Sequence, residues 1–298
     1  MVEQIETAFD FSRITPAFIY NRIDLFSPNY RVLHVQGDQD FYLEVQLFDH
    51  HAELGVWMMP VSDRDLDDIC QFIFSHYKSV DYILFSNAIS DRVYVAKTHY
   101  DVVLPDTADL LKKRLSAKSR NTMSRKRKKA EADYGPITMM AYENDKITDT
   151  LLSTYFLMKE KTHHRDYQMT RDEYLSRYHV SNAYVLNFGE RCAAIILTCE
   201  QCPIAYLENL TYDMELSKYS PGMMAYEMVL ERLIAKGKTH FFLGGGHYDY
   251  KKKYDSVETH VTDGKLYRSW VVALTYRIGI AYHKFLFLWH KIWIFYQK

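Results

Sequence analysis

Hydrophobic and polar positions along the chain fall into short alternating runs broken by helical stretches. Tyr30 to Gln36, Phe41 to Phe48 and Glu53 to Met59 alternate and are rich in aromatic residues, which predicts strands, with Gly37-Asp38 a turn. Asp63 to Tyr77 repeats at helical spacing: Leu66, Ile69, Cys70, Ile73 and Phe74 make one stripe, and acids open the helix. Val80 to Ser86 and Arg92 to Val103 return to strand. After Pro105 a helix start is expected, with Asp106 and Asp109 in capping positions. It runs through Leu110, Leu111, Leu115 and Met123 and ends before Gly135-Pro136. Ile147 to Lys161 and Asp172 to Tyr178 read as two more helices, and Ala183 to Leu197 as a strand pair turning at Gly189-Glu190-Arg191.

The next stretch organises the rest. Tyr206 to Asp213 is a strand, Tyr219-Ser220-Pro221-Gly222-Met223-Met224 enters a helix, and Phe241 to Gly246 is a second strand closing on three glycines before Tyr250-Lys251. Proline suits a first helical turn because its φ is already helical and its missing N–H would find no partner there. The apolar face of Met224, Met228 and Leu230 to Leu233 continues the helix, and Gly237 stops it. A helix start directly behind a strand offers backbone N–H groups at the positive end of a dipole, which suits a phosphate or pyrophosphate. Gly244-Gly245-Gly246 is not a phosphate loop of the Gly-Lys-Ser/Thr kind; it permits a chain reversal and close backbone approach.

Composition narrows the classes. Hydrophobic residues make up 48% and charged residues 25%, so the chain folds. Its 298 residues allow one large domain or two ordinary ones. A net charge of −1 excludes a global field for nucleic acid, leaving only local basic character. The 25 tyrosines fit a wet aromatic groove or a membrane-facing surface. Four cysteines are too few for a disulfide framework and favour a reducing compartment. Cys192, Cys199 and Cys202 lack zinc-knuckle spacing, and His163-His164 do not share a helix face, so no metal is expected. Met1 to Asp10 has no apolar core segment, which predicts a cytosolic start without a leader.

Lys112, Lys113, Arg114, Lys118, Arg120 and Arg125 to Lys129 form a basic run. It reads as a solvated face whose stems pack on the domain, or as an attractor for an anionic acceptor, a phosphorylated lipid or tRNA. From Arg268 to Lys298 there is no acid. Arg277, Lys284, Lys291 and Lys298 recur every seven residues opposite Leu274, Ile278, Ala281, Phe285, Leu288, Ile292 and Phe295. That pattern predicts a basic aromatic amphipathic helix lying on a membrane surface, with a core helix or a dimer seam as the alternatives. His290 and Lys291 interrupt its most apolar run and argue against a spanning segment.

Tyr-Leu-Glu-Asn at the strand end, the Ser-Pro-Gly helix entry, and Gly-Gly-Gly followed by Tyr-Lys together resemble the GNAT-like acyltransferases of the FemAB and cellulose-biosynthesis (CelD-like) acetyltransferase type. The resemblance implies an α/β (α+β) fold, a GNAT-like mixed sheet flanked by helices. It implies a degenerate first half at 1–105, an acyltransferase domain at 106–267 and the tail at 268–298. It also implies acyl-CoA as co-substrate, seated by Tyr219, Ser220, Pro221, Gly222, Met223 and Met224. An N–H on the edge of the Tyr206 to Leu210 strand would polarise the thioester carbonyl if that strand splays or bulges. Glu208 is the first candidate general base, being a carboxylate on an apolar strand. His247 is the second, and Tyr219, Tyr248 or Tyr250 would protonate the leaving thiolate. Arg165, Asn209 and Lys251 are expected to contact substrate. The chain lacks the Gly-x-Gly/Ala loop of small GNAT enzymes, as do relatives that use aminoacyl-tRNA, so that donor is the alternative, as is a fold that has lost its chemistry. In length, N-terminal half and tail the chain is also similar to the enterobacterial macrophage-inducible proteins linked to antimicrobial-peptide resistance. This implies an envelope acceptor and a place on the cytoplasmic side of the bacterial inner membrane.

Overall fold

In the computed structural model of the chain, the described residues are 1–5, 30–37, 40–55, 61–90, 95–143, 146–163, 169–178, 180–201, 204–246 and 249–296. They divide into two compact units, one of Met1–Lys97 with Val261–Lys298 and one of Thr98–His260. The division falls at 97/98 and 260/261. It does so because the C-terminal residues return to pair with the first unit.

That first unit holds strands β1 (Val2–Ile5), β2 (Tyr30–Gln36), β3 (Asp40–Leu47), β4 (His51–Gly55), helix α1 (Asp63–His76) and strand β5 (Tyr82–Ala88). Neighbours β1 to β4 pair antiparallel, and β4 pairs parallel with β5 through α1. Helix α1 forms as its pattern requires: Ser62 accepts from the Asp65 amide at its start, and Leu66, Ile69 and Ile73 are buried against the strands.

The second unit begins with β6 (Val95–Val103) and continues through α2 (Ala108–Lys113), α3 (Ala117–Tyr134), β7 (Ile137–Glu143), α4 (Asp149–His163), α5 (Arg171–Tyr178), β8 (Asn182–Phe188), β9 (Arg191–Gln201), β10 (Ile204–Tyr212), α6 (Pro221–Ala235) and β11 (His240–Gly245). Its strands run β6-β11-β10-β9-β8-β7, antiparallel except for the parallel pair β10 and β11, which α6 connects. Helix α6 buries Met224, Val229, Leu230 and Leu233 against Tyr184, Ala205 and Phe241. Helices α4 and α5 belong to a separate cluster in which Tyr155 and Tyr174 share a buried hydroxyl bond of 2.9 Å.

Two local readings need correction. The cap after Pro105 is Thr107, whose hydroxyl accepts from the Leu110 amide, and not an aspartate. The basic run is two helices rather than one: α2 ends at Lys113 with Arg114 as its cap, and Ser116 caps α3 by accepting from the Ser119 amide. A strand β12 (Val257–Tyr267) pairs antiparallel with β5, and α7 (Trp270–Tyr296) follows it.

Candidate functional site

The site forms where β10 leaves its neighbours. Against β9, the register of β10 shifts between Leu207 and Asn209, making Glu208 the extra residue of a bulge. Against β11, parallel pairing covers only Ile204↔His240, Ala205↔Phe241 and Tyr206↔Phe242. Past Tyr206 the two strands part. β11 carries its own irregularity there, between Phe242 and Gly244 in its pairing with β6. The parting therefore lies at the carboxyl ends of a parallel pair, where backbone groups no longer serve the ladder and ligands of open α/β sheets commonly bind. The strand from Tyr206 to Leu210 thus both bulges and splays, with Glu208 at the irregularity. Asn209 turns its Oδ1 back onto the Leu210 amide at 3.1 Å.

Helix α6 begins just beyond. Asp213 caps a 3₁₀ turn at Met214–Tyr219 by accepting from the Glu215 amide at 3.0 Å, and Arg191 holds Asp213 through Nε at 2.9 Å. Ser220 takes a left-handed conformation, φ 59°. Its amide donates to the Ser217 carbonyl at 2.9 Å, and its carbonyl accepts from the Met223 and Met224 amides at 3.1 Å each. Pro221 has no N–H, so Gly222 carries the one amide of this set for which the turn supplies no acceptor. The amide seat is narrower than the helix start alone predicts. Cationic charge supplements it, since Lys126 of α3 reaches across and donates to Ser220 Oγ.

Gly222 packs tightly. A Cβ placed there would lie 3.2 Å from Leu210 Cδ2 and 3.2 Å from Tyr212 Cδ1, so the helix start rests directly on the end of β10. Tyr219 is buried and spends its hydroxyl on Asp133, with its ring edge-on to Tyr134. That makes it a support for the turn. Met224 is fully buried in the core and Met223 partly so.

The end of β11 is held from beneath. Lys251, in a 3₁₀ turn at Asp249–Lys252, donates to the carbonyls of Leu243 at 2.6 Å, Gly244 at 3.2 Å and Gly245. It is only 4% exposed, and burial pulls its ammonium down to about 8. The lysine read from sequence as an anion contact thus serves the backbone of the glycine turn, where Gly244 has φ 65°. Tyr250 packs edge-on against Tyr226 at 5.5 Å between ring centroids. His247, Tyr248 and Arg165 lie outside the described residues, as does Cys202. Among the described residues no cluster of metal-binding side chains occurs.

Three titratable groups that the sequence reading passed over lie on strands and helices of the site. Lys159 of α4 is nearly buried, donates to the Leu210 carbonyl at 3.4 Å, and is pulled down to about 8 by burial. Asp101 of β6 sits opposite Phe242, with Oδ1 buried and no hydrogen-bond partner among the described residues; burial raises it to about 7. His240 lies 3.9 Å away, and burial lowers it. A carboxyl raised from 3.8 binds its proton in the folded state after the unfolded chain has released it. Its contribution is complete below pH 3.8 and lost as pH rises through 7. Asp101→Asn is therefore expected to gain on wild type by up to about 4 kcal/mol between acid and alkaline pH. Urea denaturation across that range checks it; parallel pH profiles would contradict it.

Residues 117–252 match the family model described as an acetyltransferase (GNAT) domain. These residues are similar to that family, and the chain has a GNAT-like fold. Two solved structures extend the likeness over most of the chain. FemX shares 9% identity, with 80% of this chain and 88% of that one covered at a TM-score of 0.55. The C-terminal (DUF2156) domain of a putative lysylphosphatidylglycerol synthetase from Agrobacterium fabrum shares 11%, with 84% and 87% covered at 0.52. No curated protein matches the sequence. In the matched region, the bulged strand is β10, the helix entered at Ser220-Pro221-Gly222 is α6, and the parting strand is β11. The GNAT-like fold expected from the resemblance at Tyr206 to Lys251 agrees with both findings.

Proposed function

We propose that the chain moves an acyl group from acyl-coenzyme A to an amine or hydroxyl of an envelope-related acceptor. The observation that carries this reading is the parting of β10 from β11 beyond Tyr206↔Phe242, next to the bulge at Glu208 and the start of α6. Acyl transfer needs a carbonyl held beside a donor as it becomes an oxyanion, and a base near the attacking group. An amide on the β10 edge would meet the carbonyl, and Glu208 would take the proton, with His247 as the second candidate. Tyr250 would return a proton to the thiolate. The Gly222 amide, Lys126 and the α6 dipole would face the pyrophosphate. Arg165 and Asn209 would contact the acceptor, and Lys251 would hold the glycine turn that shapes the site. The envelope acceptor rests on the likeness to the macrophage-inducible proteins.

A second donor is favoured by one observation. The amides of Ser220, Met223 and Met224 are already bonded, while Lys118, Arg125, Lys128 and Lys129 of α3 are exposed. An aminoacyl-tRNA needs less from the helix start and more from such a basic face. Calorimetric titration with acetyl-coenzyme A and a long-chain acyl-coenzyme A, beside filter binding of aminoacyl-tRNA over a salt series, separates the two. Saturable heat with a thioester and weak tRNA retention are expected. Steeply salt-dependent tRNA binding without thioester heat would move the donor to tRNA.

A further inference from the structure

Helix α7 is fastened at its root and open beyond it. Arg268 donates through Nε to the Val80 carbonyl at 2.8 Å, through Nη1 to that of Phe74 at 2.6 Å and through Nη2 to that of Tyr77 at 2.7 Å. Ser269 caps the helix by accepting from the Val272 amide, and the Tyr276 hydroxyl donates to Asp81 at 3.2 Å. Lys265 lies over the rings of Tyr82, Tyr267 and Tyr276. From Arg277 to Leu286 every residue except Gly279 is exposed. Ile278 and Phe285 are 59% and 60% accessible, and Ile280, Tyr282 and Leu286 are open as well.

We infer that α7 is a docking element for an anionic phospholipid surface. The charge pattern selects that occupant. Arg268 to Lys298 holds five cations and no acid in a chain whose net charge is −1, so the tail is cationic where the rest of the chain taken together is acidic. Arg277 and Lys284 stand seven residues apart on one stripe, and the sequence continues the spacing at Lys291 and Lys298. Leu274, Ile278, Ala281, Tyr282, Phe285 and Leu286 share one arc of about 140° beside that stripe. A two-helix seam would cover Ile278, Ala281 and Phe285 but leave Tyr282 and Leu286 in water. A bilayer interface takes in all of them while the lysine and arginine stems reach the headgroups. No helix among the described residues is long and apolar enough to cross a membrane, which fits a helix lying on one. The inference is independent of the acyl donor.

Flotation of the full chain with vesicles tests it. The chain is expected to rise with vesicles of phosphatidylcholine mixed with phosphatidylglycerol, and much less with phosphatidylcholine alone. The double reversal Arg277→Glu with Lys284→Glu should weaken binding at least about tenfold. Ile278→Ser with Phe285→Ser should do the same at unchanged lipid charge. Circular dichroism confirms that the variants stay folded. Equal binding to neutral vesicles, or binding unaffected by both pairs, overturns the inference. So does a sedimenting dimer that the variants dissociate while vesicles are ignored, since that assigns the face to a second copy.

Discussion

Lys251→Met is expected to lower the unfolding free energy of the second unit by about 3 kcal/mol or more, because carbonyls of the glycine turn lose a buried charged donor. The three acceptors, Leu243, Gly244 and Gly245, are consecutive at the end of β11, so one side chain fixes the direction in which the strand exits. Methionine fills similar volume but donates nothing, and the turn must rearrange or stay unsatisfied. The pH dependence gives the effect a sign. The folded-state ammonium titrates at about 8 and its ordinary value is 10.5, so above pH 8 the folded protein releases a proton that the unfolded chain retains. Wild-type stability should thus rise by about 2 kcal/mol relative to the methionine variant between pH 8 and pH 9.5. Urea denaturation at neutral pH and near pH 9.5 measures both effects. A methionine variant as stable as wild type would show that the lysine is ornamental to the turn.

Glu208→Gln is expected to reduce acyl turnover by roughly a hundredfold or more with little change in donor binding, the usual cost of losing a positioned base. The residue is the extra member of a bulge, and a bulge re-aims the side chains around it. Thiol release from the thioester, followed beside calorimetry on the same variant, separates chemistry from binding. If turnover falls only through weaker binding, Glu208 positions substrate and the base must be sought at His247. If turnover is unchanged, Glu208 has no part in the reaction.

The strand, helix and strand of the site were legible because each is specified locally. Ser220-Pro221-Gly222 dictates a helix start, and β-branched and aromatic runs flank it. The exact level of the bulge was not legible, because it is set by the pairing of β10 with β9 and not by β10 itself. Lys126 and Lys159 looked like solvated charges for a similar reason. Their partners, Ser220 and the Leu210 carbonyl, lie 94 and 51 residues away. Asp101 sits in an alternating strand where an outward carboxylate is the default; its burial is a property of the sheet around it. Strand β7 escaped notice because it is an edge with one buried side chain, Met139, and so shows no alternation. The turn before α6 misled in the opposite sense. Sequence alone offers its amides to a ligand, but the left-handed Ser220 folds most of them back onto the chain.

The claim that donor phosphates meet the start of α6 is tested most directly by repeating the acyl-coenzyme A titration on Gly222→Trp. An indole at a position where even a Cβ would lie 3.2 Å from Leu210 and Tyr212 must displace the helix start or fill the approach to it. Loss of saturable heat in a variant that still unfolds cooperatively is the predicted result. Undiminished affinity in that variant would place the donor elsewhere and contradict the site.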